Sequence, residues 1–152
     1  MTTTTPRFMA VQGAALMVAS GFLAIGVLGF IPGVTSDYGQ LDWAGPHSGA
    51  KLFGVFAVSG LHNVVHLTSG VVGFALARTY AASRAYFLGG GFVYLALWLH
   101  GLTVDVDSNA NLLPVNQPDN WLHFGIGIGM LLLGVTLAGQ RDPTKWRRSK
   151  QR

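Results

Sequence analysis

Along the chain, apolar residues gather into four blocks separated by short polar boundaries. The first covers about residues 8–31 and stops at Pro32-Gly33; the others lie between His62 and Arg78, between Arg84 and Thr103, and between Asp119 and Gln140. Each approaches the roughly 20 residues that a helix needs to cross a hydrocarbon core. The pattern predicts four spanning helices over about residues 8–31, 60–78, 84–103 and 119–139, in a transmembrane domain of residues 1–140 followed by a tail, 141–152. The first block is longer than the apolar core of a secretion signal, about 7–15 residues, and lacks a small-x-small cleavage pattern, so it is read as a retained helix. Residues 52–58 form a shorter apolar segment, read as lying in the interface or re-entering between helices.

Composition gives the blocks a solvent. Of 152 residues 50% are hydrophobic and 11% charged, where soluble domains carry about 25% charged residues; mean hydropathy is +0.42. Most of the surface is expected to meet lipid. The absence of cysteine excludes disulfides, thiolate metal sites and cysteine nucleophiles. A pI near 9.9 would suit nucleic acid, but the charge is not distributed for it. Arg141, Lys145, Arg147, Arg148, Lys150 and Arg152 crowd the tail beside Trp146, as in segments that meet anionic cytoplasmic lipid. In a four-span arrangement Arg7, Arg78 and Arg84 share that side with Asp142, while Lys51 lies on the other side together with Asp37, Asp42, Asp105, Asp107 and Asp119. The chain is therefore expected in the bacterial inner membrane with both termini cytoplasmic, loops 32–60 and 104–118 outside, and no nucleic-acid partner. His47, His62, His66, His100 and His123 all fall toward the outer end.

Two segments carry an internal repeat. Residues 61–67 read L-H-N-V-V-H-L and residues 118–124 read P-D-N-W-L-H-F. Asn63 and Asn120, His66 and His123, and Gly70 and Gly127 are each 57 positions apart. The fold class expected is an all-α membrane protein, a compact four-helix bundle from a duplicated helical hairpin whose halves share one orientation. The first and third helices align less clearly. Ser59 and Asn116 fall just before the second and fourth helices, with Asp119 as a plausible N-cap. Glycines 70, 73, 89, 90, 91, 125, 127, 129 and 134 would let helices approach closely.

Asn63 and His66 share a helix face, with His62 one turn before His66 and Asp119 four before His123. The first reading is structural: Asn63, His66, Asn120 and His123 form a polar layer that fixes helix register. A second makes His62, His66, Asp119 and His123 four N/O metal ligands, with His100 as an addition; a set without sulfur suits zinc, iron or copper, and spacing does not choose among them. A third makes His66 and His123 axial ligands of a haem. No cofactor is the default. Phosphate-binding loops, serine-histidine-aspartate spacings and dinucleotide fingerprints are missing, and D-V-D-S-N at 105–109 lacks the glycine and glutamate of a calcium loop. Trp43, Trp98, Trp121 and Tyr38 read as interfacial anchors. A transport pathway would need an oligomer of so small a bundle.

L-H-N-V-V-H-L after F-G-V-F-A-V, F-I-P-G-V after the first helix and P-D-N-W-L-H-F opening the fourth resemble a family of bacterial four-helix membrane proteins catalogued only as a domain of unknown function. The likeness covers about residues 8–139. Where such relatives would show Asn-Pro before the motif, Ser59-Gly60 stand here, so a role for that asparagine does not carry over. The resemblance implies an architecture and no activity. The function expected is non-catalytic: an accessory or scaffolding subunit of a larger membrane complex, or a homo-oligomer, with a metal- or haem-binding redox protein as the alternative.

Overall fold

A computed structural model describes residues 9–137. Arg7, the last residues of the fourth expected span, and the basic tail with Trp146 lie outside the described residues. The described chain is mostly helical, with α1 (Ala10–Leu28), α2 (Gly60–Leu76), α3 (Tyr80–Thr103) and α4 (Gln117–Thr136). By length and composition two of these, α1 and α3, are long and apolar enough to cross a membrane. Polar residues at the starts of the other two set them apart. α2 has 17 residues and carries His62, Asn63 and His66, and α4 opens on Gln117-Pro118-Asp119-Asn120.

Local chemistry explains where the helices begin. Ser59 Oγ accepts from His62 N at 3.1 Å, capping α2. At the matching place in α4, Asn116 Oδ1 accepts from Asp119 N at 3.0 Å while Asp119 Oδ2 accepts from Asn116 N at 2.9 Å. Asn116, rather than the expected Asp119, is thus the N-cap, and Asp119 completes a reciprocal capping box. α3 starts four residues earlier than expected because Thr79 caps it, accepting from Ala82 N at 3.2 Å. Arg84 therefore sits inside the helix, and α2 and α3 are joined by residues 77–79 alone. Gln12 Nε2 on α1 donates to the Ala77 and Arg78 carbonyls at 3.0 and 3.1 Å, partnering the otherwise free end of α2.

α1 packs mainly on α2 and α3 mainly on α4, with thinner contact between the two pairs. Gln12 meets the end of α2 and Gly29 meets Asn63 near its start, so α1 and α2 run antiparallel. α3 and α4 do likewise, with Gly101 against Asn120 and Gly134 against Phe87 and Leu88. Gly70 lies against Ala19 O and Leu23; Gly127 lies against Gly91 O and Leu95. The α2 and α4 partners are 57 positions apart, whereas the α1 and α3 partners (19 and 91, 23 and 95, 29 and 101) are 72 apart. The extra 15 residues fall in the connection between α1 and α2. One fixed offset cannot align both helices of each pair.

That connection holds a sheet the hydrophobic pattern does not announce. β1 (Thr35–Ser36), β2 (Lys51–Leu52) and β3 (Phe56–Ala57) pair antiparallel in the order β1-β2-β3, with Thr35 opposite Leu52 and Lys51 opposite Ala57. Residues 52–58, expected as an interfacial or re-entrant apolar segment, are thus the tip and second arm of a hairpin. The hairpin turns through Phe53 (φ 53°) and Gly54 (φ 71°), both left-handed, a conformation costly for a bulky residue such as Phe53. Ala50, Leu52 and Val58 form a small buried core against Ile25 and Leu28 of α1. The main core joins Val11, Ala15, Phe22, Phe87, Tyr94 and Met130. Large apolar side chains also stand on the outward faces: Met17, Phe92, Leu132 and Val135 are each more than half exposed.

Candidate functional site

A cluster of ring-bearing polar side chains lies beneath the β2–β3 hairpin. The α2 cap sets His62 and His66 one turn apart on the face turned inward, and the α4 cap does the same for Asp119 and His123. All four are buried, with His123 1% and Asp119 2% exposed. They line one cavity of about 140 Å³ with Ile25, Leu52, Phe56 and Val58. The His62 ring lies 4.9 Å from that of His66 and 5.7 Å from that of His123, centre to centre.

Hydrogen bonds tie the cluster to its surroundings unevenly. Asp119 Oδ2 accepts from Ala57 N at 3.0 Å as well as from Asn116 N, and Asn116 Nδ2 donates to Val55 O at 2.7 Å, so the start of α4 pins the hairpin over the cavity. Tyr94 Oη meets His66 Nδ1 at 3.2 Å. Tyr94 is almost fully buried, its ring 5.1 Å from Phe22 and 5.6 Å from His123. Nδ1 of His62 and Nδ1 of His123 have no hydrogen-bond partner.

The two asparagines lie beside the cluster against glycine backbone. Asn120 Nδ2 donates to Gly101 O at 3.0 Å, a bond from α4 to α3. Asn63 packs on Gly29 of α1, but its side chain makes no hydrogen bond, and the Gly29 carbonyl accepts from Thr35 Oγ1 instead. A side chain at Gly29 or Gly101 would collide with its asparagine, which is why both positions are glycine.

Of the residues singled out in the sequence, His62, His66, Asp119 and His123 converge. His100 does not join them: half-buried in the last turn of α3, it lines a separate cavity with Leu61, Val65 and Leu112. His47 lies exposed in the first connection. Sequence reading missed Tyr94, whose signal was its place opposite Phe22 at the second offset, 72 positions on.

The geometry does not favour the metal reading. Among the described residues no group of three or more His, Asp or Glu side chains could hold a metal ion. His62 and His66 stack nearly face to face, with 27° between ring planes, and Asp119 spends one oxygen on two backbone N–H groups. Nor does the arrangement seat a haem between His66 and His123. The Tyr94 ring is close to both, and 140 Å³ falls short of the roughly 300–1,000 Å³ of ordinary ligand pockets.

No curated protein and no solved structure matches the chain. A family model does, that of DUF4383, a domain of unknown function, over residues 12–136. That match takes in nearly all of α1, the sheet, the histidine cluster and α4, and the chain belongs to the DUF4383 family.

Proposed function

We propose that the chain is a multi-pass protein of the bacterial inner membrane, all four helices crossing and both termini cytoplasmic, built from a duplicated hairpin. It serves as a non-catalytic accessory or scaffolding subunit of a larger membrane complex. The apolar outward faces of the helices support the membrane reading, and the paired offsets support the duplication.

The observation that carries the subunit role is a set of glycines turned away from the chain's own packing. Gly70, Gly91 and Gly127 are filled by neighbouring helices, but Gly13 and Gly21 of α1 and Gly125 and Gly129 of α4 have no heavy atom within 4 Å of where a Cβ would stand. Gly125 and Gly129 are one turn apart, the small-xxx-small spacing that admits a second helix in lipid. Gly21 and Gly129 line opposite walls of an apolar groove of about 250 Å³ with Phe22, Ile25, Ile126 and Met130. A transmembrane helix of another subunit fits this groove by the same dispersion that closes the chain's own pairs.

Crosslinking in native membranes, followed by purification in mild detergent, tests the role. The expected result is a defined co-purifying complex that Gly21→Ile and Gly129→Ile disrupt without loss of helical content. A monomer before and after crosslinking would overturn the proposal, and a species containing only this chain would replace the heteromeric partner with further copies.

A further inference from the structure

The cavity beneath the hairpin has a chemistry the subunit role does not use. Its walls are apolar on one side, through Ile25, Leu52, Phe56, Val58 and Leu122, and on the other carry His62, His66, His123 and Asp119. Two nitrogens there are unpartnered on side chains that are nine-tenths or more buried: His62 Nδ1, in a residue 3% exposed, and His123 Nδ1, in a residue 1% exposed. An orphaned polar atom in so apolar a place is costly, so a site that retains two of them calls for an occupant that can hydrogen-bond to both.

Size and hydrogen-bonding sense narrow the occupant. A cavity near 150 Å³ accommodates one benzene-sized ring, and this one measures about 140 Å³. Water fits it poorly. At roughly 30 Å³ each, several waters would enter, each needing two to four polar partners, and most of the lining offers none. An unpartnered nitrogen of a neutral imidazole presents either a lone pair or an N–H, and a hydroxyl, which both donates and accepts, satisfies either one. His66 Nδ1 already meets such a group in the Tyr94 hydroxyl, a phenol within the same cluster.

We propose that this cavity binds a single hydroxylated aromatic ring, a phenol or the head group of a quinol, with its hydroxyls bonded to His62 and His123 and its face against Ile25, Val58 and Leu122. Phe53, more than half exposed at the rim, lies where the ring enters. The proposal does not rest on the subunit role. A helix docked in the α1–α4 groove lines a different surface, with Ile25 the residue shared between them.

The test uses the full-length protein in lipid nanodiscs, titrated with hydroquinone, with benzene, and with a quinol carrying an isoprenoid tail, and followed by ¹⁵N shifts of the imidazole nitrogens. The expected result is saturable binding of one ring, with hydroquinone at least about tenfold tighter than benzene, as one good hydrogen bond implies, and with shifts at His62 and His123. Leu122→Trp, which fills the cavity and leaves every histidine in place, abolishes the binding; His123→Phe removes the preference for hydroxyls. Equal affinity for both ligands, no saturation, or binding that survives Leu122→Trp overturns the proposal. If hydroquinone and the tailed quinol both bind, or the tailed quinol alone, the ring comes from the membrane's quinol pool in the second case and from either source in the first.

Discussion

Replacing Gly70 by alanine isolates the close helix approach from every other effect of the substitution. A Cβ there would stand 2.6 Å from Leu23 Cγ and 2.9 Å from the Ala19 carbonyl oxygen. The leucine can turn aside. The carbonyl belongs to the α1 backbone and moves only if the helix moves, and overpacking of this kind costs about 1–3 kcal/mol. Alanine also gains about 1 kcal/mol of helix propensity over glycine, which would blur a single measurement. Gly129→Ala has the same gain with nothing within 4 Å of the new methyl, so the difference between the two variants removes the common term. Gly70→Ala is expected to be less stable than Gly129→Ala by about 1–3 kcal/mol, or about 5- to 150-fold in the unfolding constant. Reversible unfolding in mixed micelles, followed by far-ultraviolet circular dichroism, reads this difference. Equal stability of the two variants would refute the close approach of α1 and α2.

Asp119→Ala strips the acceptor from the Ala57 and Asn116 N–H groups; it is expected to destabilise the protein by about 1–3 kcal/mol and to open the hairpin to protease near Gly54, while Asp119→Asn keeps an oxygen in place and restores much of the loss. Unchanged proteolysis in Asp119→Ala would show that the hairpin is held by other contacts. Phe53→Val places a β-branched residue at a left-handed position and should lower the thermal midpoint, whereas Phe53→Gly, free of that strain, should not; the reverse order would refute the backbone geometry. Tyr94→Phe leaves His66 Nδ1 without its partner, costing about 1–3 kcal/mol, and its mark is a change in the His66 imidazole resonances with little change at Asn120.

Much of this was legible in the sequence because hydrophobic blocks and cap residues are local signals. The second helix begins at Gly60 as expected, and the fourth at Gln117, two residues before the boundary drawn at Asp119. The spacing of His62 with His66 and of Asp119 with His123 places each pair on one helix face, and the structure puts all four on one cavity. The sheet was not legible, since strands of two residues show no alternation and owe their pairing to neighbours such as Asn116 and Asp119. Arg84 was misleading for another reason. A long basic side chain can sit inside a helix and extend toward water, so charge marks a boundary less sharply than the hydroxyl of Thr79 does. His100 fails to join the cluster because the face it occupies is fixed by the packing of α3, a tertiary property that helical spacing within one element does not reveal.

The histidine cluster draws on α2, α3 and α4, and so lies on the seam between two helix pairs that touch each other sparingly. Phe22, Tyr94 and Met130 pack across that seam, and in the bilayer proposed for the chain parting it would also break the His66–Tyr94 and Ala57–Asp119 hydrogen bonds with no water to replace them. The two halves are thereby latched by what separation would uncover more than by what union brings together. Such a latch weakens wherever water reaches it and tightens as the surroundings become drier, so the coupling between the halves should follow the hydration of the histidine cluster.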